Sequence, residues 1–321
     1  MDPIDRMVSI VMPCRNEAAF IEQAVTDALA QRTRHAVEVI VAVGPGTDGT
    51  AAIVQRLAVA HPRVRMVHNP AGVVPHGLNA AIRAAHGTYI VRMDAHSRYP
   101  DDYVEVLVDA LERTGADNVG GVWETRPANA GHEAWAIARA LSSPLGVGNA
   151  MFRIGTGAER EVDTVPYGCF RRSLFDRIGF FDEELIRNQD DEHNGRIRRA
   201  GGRIVLLPQV RIRYYARDRI GKLWRMYREY GMFKPLVNIK LGRPATLRQF
   251  VPPLFVLGLV AGAVAAVWWP WARWAWLGTV GIYLVVLGLA SLGITAREGR
   301  WPGWAWLVLA YVTMHVAYGV G

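Results

Sequence analysis

At 321 residues with a formal net charge of +8 and a pI near 9.8, the chain is long enough for a substantial core, and a domain size of about 100–200 residues suggests two units. The basic excess suits nucleic acid, anionic lipid or a phosphorylated substrate and selects none of them. Cys14 and Cys169 stand far apart without metal-ligand spacing, which argues against a disulfide framework or a zinc site and favours a reducing compartment.

The opening "MDPIDRM" has acids and no apolar core, unlike a cleaved secretory signal. Val8 to Met12, Glu38 to Val43, Val64 to Val67, Tyr89 to Met93 and Val119 to Trp123 are short runs of β-favouring residues. Between them apolar residues recur at three and four. Ile21, Ala24, Val25, Ala28 and Leu29 form one helical stripe, and Val104, Leu107, Val108 and Leu111 another. Strands alternating with helices predict an α/β unit with a mainly parallel sheet covered on both faces.

Ligands of such sheets bind beyond the carboxyl ends of strands. The fourth strand, "YIVRM", ends there on Asp94, Ala95 and His96. Two positions apart, Asp94 and His96 can point the same way and share one ion. A carboxylate suits Mg²⁺ or Mn²⁺, and an imidazole tilts the choice to Mn²⁺. The alternatives are a turn-capping carboxylate for Asp94 and, for His96, no direct ligation.

The Gly-rich "GPGTDG" after the second strand is either a backbone-amide cradle for base or phosphate or a plain turn. "PLGVGNAMFRIGTGAER", Pro144 to Arg160, has the hinge glycines of a lid; the other reading is a disordered connector. "RNQDDEHNGRIRRAGG" opens a helix with Asp190, Asp191 and Glu192 and closes it with bases and Gly201, as a helix dipole favours. The same acids are candidates for a general base.

Arg217 to Lys234 sets Ile220, Leu223, Trp224 and Tyr227 on one helical face and bases on the other, the pattern of a helix lying in a headgroup layer; the other reading is a helix packed on the catalytic domain. Three apolar stretches follow, at about 250–269, 274–294 and 301–319, each near the length that crosses a hydrocarbon core of about 30 Å. Tryptophans gather at their ends, where amphipathic rings prefer the lipid–water boundary. The expected organisation is 1–216 catalytic, 217–249 interfacial and 250–321 membrane-spanning. Arg211 to Arg248, with Arg297 and Arg300 after the second span, are the basic flanks that put the large N-terminal part in the cytoplasm of a multi-pass cell-membrane protein. Three spans would leave the C-terminal end outside. The excess charge beside the spans is expected to meet anionic lipid rather than nucleic acid.

"VSIVMPCRNE", "GTDGT", "GLNAAIRAAHGTYIVRMDAH" and "RNQDDEHNGRIRRAGGRI" resemble, in order and spacing, the family 2 glycosyltransferases. "PLGVGNAMFR", "VPYGCFRRSLFDRIGFFDEELIRNQD" and the apolar C-terminal stretches look most like its membrane-attached succinoglycan-synthesis subgroup. The resemblance covers roughly Val8 to Tyr230 and implies a GT-A fold and an inverting hexosyltransferase. It implies a nucleoside-diphosphate sugar donor, a UDP-sugar being favoured, and a lipid-linked saccharide acceptor.

Carried over residue by residue, it makes Asp190 the base, with Asp191 its rival, and Glu192 the following acid. Asp94 and His96 become the metal pair, with Asp94 also on the donor. Pro13, Arg15, Glu17, Asp48, Asn79 and Arg83 become donor-site residues. The commonest family pattern has a second Asp at His96 and acids at Val43 and Gly44. The Gln-x-x-Arg-Trp signature of processive synthases is missing, which implies transfer of one sugar. Two other readings are a polyprenyl-phosphate sugar synthase, whose ionised acceptor needs little help from a base, and a catalytically degenerate membrane scaffold.

Overall fold

The computed structural model describes residues 7–244 and 246–321; the opening "MDPIDR" lies outside them. Its contacts divide the chain into two compact units. One comprises the N-terminal residues to Glu124 together with Gly155–Tyr214, and the other Thr125–Ile154 with Tyr215–Gly321. The stretch 125–154, within the expected 1–216 catalytic part, thus clusters with the C-terminal helices. Distance in sequence does not reveal this, because the grouping depends on which apolar faces meet.

The first unit is built on a sheet of nine strands among the described residues. In chain order they are β1 (Val8–Cys14), β2 (Val37–Val43), β3 (Val64–His68), β4 (Tyr89–Arg92), β5 (Ser97–Arg98), β6 (Asn118–Arg126), β7 (Arg160–Glu161), β8 (Cys169–Arg171) and β9 (Ile204–Tyr215). Helices α1 (Ile21–Leu29), α2 (Thr50–Ala60), α3 (Val74–Ala84) and α4 (Tyr103–Thr114) alternate with the early strands. The order is β3-β2-β1-β4-β8-β6-β9-β5, with β7 on β9.

The β1–β2, β2–β3 and β1–β4 pairs are parallel, as the alternating pattern predicts. Beyond β4 the sheet turns antiparallel, through β8. β2 is buried along its whole length, as a central parallel strand covered on both faces must be. Ile21, Val25 and Ala28 of α1 and Tyr103, Leu107 and Leu111 of α4 are sealed into the same core.

The helices of the second unit are α5 (His132–Ala140), α6 (Pro144–Val147), α7 (Met151–Ile154), α10 (Ile220–Leu241), α11 (Val251–Trp268), α12 (Pro270–Glu298) and α13 (Trp304–Val320); α8 (Ser173–Ile178) and α9 (Gln189–Arg199) join α1 to α4 in the first. The glycine-rich 144–160 stretch is thus helical over α6 and α7. In the second unit Trp135 and Ile137 of α5, Leu141 just after it, Leu223 and Tyr227 of α10, and Leu307, Tyr311 and Met314 of α13 form a common core. Three helical stretches, Leu247–Trp268, Pro270–Glu298 and Trp301–Val320, are long and apolar enough to cross a membrane.

Candidate active site

β2 and β3 lie to one side of β1 and β4 to the other, so the chain reverses its winding between β1 and β4. A crevice opens beyond the carboxyl ends of strands at such a reversal. Residues following β1 and β4 meet there: His96 Nδ1 lies 3.0 Å from Glu17 Oε1. Asn16, beside Glu17, has a φ of 55°, a left-handed conformation that Asn tolerates better than most residues. Its carboxamide oxygen accepts from the Thr47 N–H at 3.0 Å, fastening the turn after β1 to the loop after β2.

Arg92, the last residue of β4, organises the centre. Its side chain is only 6% exposed. Nε and Nη2 donate to the two Asp94 oxygens at 2.9 and 3.0 Å, while Nη1 donates to Asp190 Oδ1 at 2.8 Å. One guanidinium therefore holds two carboxylates that stand 96 positions apart in sequence. Forked donation of this kind fixes orientation as well as charge.

Asp190 reaches the centre because α9 starts there, after Asn188 with a φ of 62°. Removal from water pushes the Asp190 carboxyl up to about 6; Arg92 opposes that shift, and Asp94 and Asp191 reinforce it. Burial by itself would push the Arg92 proton off, but attraction to Asp190 and Asp94 overrides it and keeps the guanidinium charged.

Aromatic residues wall the site. The Tyr99 hydroxyl accepts from the Asp94 N–H at 2.7 Å, and Tyr167, at a φ of 62°, bonds Ser97 Oγ through its hydroxyl at 2.8 Å. The Arg92 guanidinium carbon lies 5.3 Å from the centre of the Tyr167 ring, and Trp123 stacks on Tyr214 at 4.2 Å.

The other expected residues divide. Glu17 sits in the crevice beside His96, and its N–H donates to Thr50 Oγ1 at 2.8 Å. Pro13 is partly buried at the end of β1, and Arg15 is exposed just after it. Both Asp48 oxygens are engaged, by the Ala18 N–H and by the N–H and hydroxyl of Thr50. Those bonds, Thr50 first, hold its carboxyl below the usual range. Asp48 thus clamps its own loop to the turn after β1.

Asn79 donates to the Phe181 carbonyl and Glu183 Oε1 and accepts from the Phe181 N–H. Arg83 lies over the Phe180 ring at 4.5 Å. Both side chains fasten the 180–183 segment that leads to α9. Glu192, expected as a second acid of the site, is 3% exposed and paired with Arg196, Nε to Oε1 at 2.7 Å and Nη2 to Oε2 at 2.9 Å. At Gly44, where the resemblance would put an acid, the chain is crowded: a Cβ would fall 3.0 Å from the Gly72 Cα.

No three His, Cys, Asp or Glu side chains gather around one point among the described residues. A cation held here would take few protein ligands, as suits Mg²⁺ or Mn²⁺ completed by phosphate oxygens and water. Glu17 accepts from His96 Nδ1–H, which leaves the metal-binding lone pair on Nε2, the usual arrangement of a ligating imidazole. His96 would fit an ion on those grounds, and each Asp94 oxygen keeps a second lone pair beyond its bond to Arg92. Cys14, pushed up to about 12 by burial, then by Glu17 and Asp48, is too basic to serve as a thiolate nucleophile.

Residues 9–179 match the profile of Glycosyl transferase family 2, more than half of the chain. The chain belongs to that family.

This family 2 glycosyltransferase is 33% identical to the succinoglycan biosynthesis protein ExoA of Rhizobium meliloti (strain 1021) over 85% of its own length and 81% of the relative's. It is 23% identical to a dolichyl N-acetyl-alpha-D-glucosaminyl phosphate 3-beta-D-2,3-diacetamido-2,3-dideoxy-beta-D-glucuronosyltransferase of Methanococcus voltae, over 72% and 73% of the two chains. The mannosyltransferase PcManGT of Pyrobaculum calidifontis, solved with GDP-Man and Mn²⁺, superposes with a TM-score of 0.59 at 23% identity, covering 96% of this chain and 86% of that one. That likeness establishes the GT-A fold.

Arg92, Tyr99 and Tyr167 were not among the expected site residues. Arg92 had a signal: a lone arginine closing the apolar run "YIVR" needs a buried anionic partner. Tyr167 had none, since its place depends on the antiparallel half of the sheet.

Proposed function

We propose that this glycosyltransferase moves one sugar from a nucleoside-diphosphate sugar to a hydroxyl of a lipid-linked saccharide, inverting the anomeric centre, at the cytoplasmic face of the membrane. One observation carries the reading: a single guanidinium at the sheet's switch point holds Asp94 and Asp190 together. In a direct displacement one group must steady the leaving diphosphate while another takes the acceptor proton. The two carboxylates are suited to these separate tasks.

Asp94 and His96 would hold Mn²⁺ or Mg²⁺, which when bound supplies Lewis-acid stabilisation of the departing diphosphate. Glu17 orients His96 through its Nδ1–H, and Arg92 holds the Asp94 plane. Asp190, displaced upward to about 6, is ionised at neutral pH yet basic enough to accept the hydroxyl proton as the oxygen attacks. Arg92 stabilises its ionised form and fixes the oxygen it bonds. Asp191 is the neighbouring rival for this role. Glu192 acts from behind, holding the first turn of α9 through Arg196. No covalent enzyme intermediate is required.

Donor-site roles for Pro13, Arg15 and Glu17 rest on their place at the end of β1. Those of Asp48, Asn79 and Arg83 are indirect, through the loops that they brace. The name of the Methanococcus relative puts its acceptor sugar on a lipid phosphate, and that of the Rhizobium relative places it in polysaccharide synthesis; both support an acceptor of this class. The Pyrobaculum neighbour was solved with GDP-Man, so guanosine donors belong beside the expected UDP-sugar in any test.

The test is release of nucleoside diphosphate by the full chain in lipid, over a panel of sugar nucleotides and lipid-linked saccharides with Mn²⁺ or Mg²⁺. Release that needs both acceptor and cation, and that Asp94→Asn abolishes, is expected. An Asp94→Asn variant as active as the parent removes the metal assignment, and release from no donor favours the scaffold reading.

A further inference from the structure

The three apolar helical stretches of the second unit are not equivalent. Mean hydropathy is 2.3 for Leu247–Trp268 and 2.1 for Pro270–Glu298 but 1.3 for Trp301–Val320, and the protein itself buries 0%, 11% and 39% of the respective apolar windows. α13 is thus the least apolar and the most enclosed. What encloses it is informative.

α11 and α12 are joined through Trp269 alone and pair antiparallel. Phe255 meets Tyr283 at 4.7 Å between ring centres, and Trp276 Nε1 donates to the Leu259 carbonyl at 2.9 Å. In such a hairpin the start of α11 and the later part of α12 lie at one end, and Trp268, Trp269, Trp271 and Trp274 at the other. α13 remains at the first end. Trp304 Nε1 donates to the Gly288 carbonyl, and a Cβ on Gly319 would fall 2.6 Å from the Pro252 carbonyl oxygen, in the first turn of α11. The helix therefore travels from the lower part of α12 to the beginning of α11 and does not accompany the hairpin to its tip.

Its other neighbours cannot lie in hydrocarbon. α10 runs beside α13 in the same direction. Asp218 and Arg219 share a cavity of about 300 Å³ with Trp306, while Cβ atoms built on Gly231 and Gly321 would collide with the Tyr318 and Arg228 carbonyls respectively. From Arg219 to Gly231 and from Trp306 to Val320 the two helices advance about 18 and 21 Å at 1.5 Å per residue. Along that path α10 exposes Lys222, Arg225 and Arg228, which lipid-facing surface at membrane depth does not tolerate. On another side His315 Nε2 donates to the Leu145 carbonyl at 2.7 Å, and Nδ1 takes the Tyr283 hydroxyl at 2.8 Å. That carbonyl belongs to the four-residue α6, flanked by irregular backbone. Such backbone does not occur exposed to hydrocarbon.

We infer that only the α11–α12 hairpin crosses the bilayer, and that α13 lies with α10 in the interfacial layer at the hairpin's base. Residues 225 and 320 are then on one side of the membrane, with the tryptophan-rich tip on the other. The exposed face of α10 combines Lys222, Arg225 and Arg228 with Trp224, Met232 and Ile239, which matches a headgroup layer. This arrangement differs from the three-span expectation, under which the last helix ends on the far side.

Single cysteines at Arg225, Val320 and Trp271 in the full chain, probed with a membrane-impermeant maleimide in sealed vesicles of both orientations, test it. Cys14 and Cys169 are buried, and the parent supplies their background. Labelling in detergent first confirms that each new thiol reacts. Arg225→Cys and Val320→Cys are expected to react in the same vesicle orientation and Trp271→Cys in the opposite one. Reaction of Val320→Cys together with Trp271→Cys, opposite Arg225→Cys, restores the third span and overturns the inference. Reaction of all three from one face overturns it as well, by removing the crossing hairpin.

Discussion

Asp190 carries opposite consequences for catalysis and for stability. Its folded pKa of about 6 lies above the ordinary 3.8, so the folded state holds the proton more tightly than the unfolded chain. Ionisation opposes folding, and this contribution to stability falls as pH rises from about 4 through 6. Asp190→Asn lacks that slope, and thermal unfolding of the two proteins across this range shows it as a parent that weakens relative to the variant. Under the proposed role activity should move the other way, because only the carboxylate is a base. The rate should climb through about pH 6 in the parent, and Asp190→Asn should lose about 10²–10⁴-fold, as removal of a general base does.

Arg92 gives a second test at this scale. Arg92→Met leaves Asp94 and Asp190 without their shared cation, and breaking a buried ion pair from one side costs about 3–5 kcal/mol; denaturant unfolding should show a loss of that order. Arg92→Lys keeps the charge but not the fork. It should fold better than Arg92→Met and remain much less active than the parent.

At the level of elements, the sequence is most readable where period and burial agree. β1 to β4, β6, α1 and α4 show as apolar runs or stripes because each buries a regular face. β8 is three residues long and β5 and β7 two each, too short for any period to declare itself. β9 alternates well through "VRIRYY" but was not among the expected strands, and it supplies part of the antiparallel half.

The same contrast divides the site. Asp94 and His96 stand out because polar residues close an apolar strand. Arg92 and Tyr167 matter through contacts that no local pattern contains. Glu192 tests whether a motif position is a catalytic one: its carboxylate is sealed by Arg196 within α9, and we propose a structural role for it. Glu192→Gln should therefore lower stability by about 3–5 kcal/mol, the range for a broken buried pair, while the folded fraction keeps most of its turnover. A loss of turnover as large as that of Asp190→Asn, with unchanged stability, contradicts this assignment.

For the whole molecule, the strongly apolar C-terminal region was legible from composition, but the path of the chain from one compact unit to the other and back was not. Residues 125–154 leave the sheet unit, join the helices and return. That excursion depends on Trp135, Ile137 and Leu141 packing with Leu307, Tyr311 and Met314, a match between faces far apart in sequence. The proposed metal dependence is tested on the full chain: EDTA should remove activity, and added Mn²⁺ or Mg²⁺ should restore it without refolding.

The most direct measurement is the pH dependence of acceptor-dependent nucleoside diphosphate release by the full chain in lipid, parent against Asp190→Asn, at saturating cation. A parent limb rising near pH 6 that vanishes in a variant slower by at least about a hundredfold is the predicted result. Equal rates and superimposable profiles for the two proteins would contradict the assignment of Asp190 as the group that takes the acceptor proton.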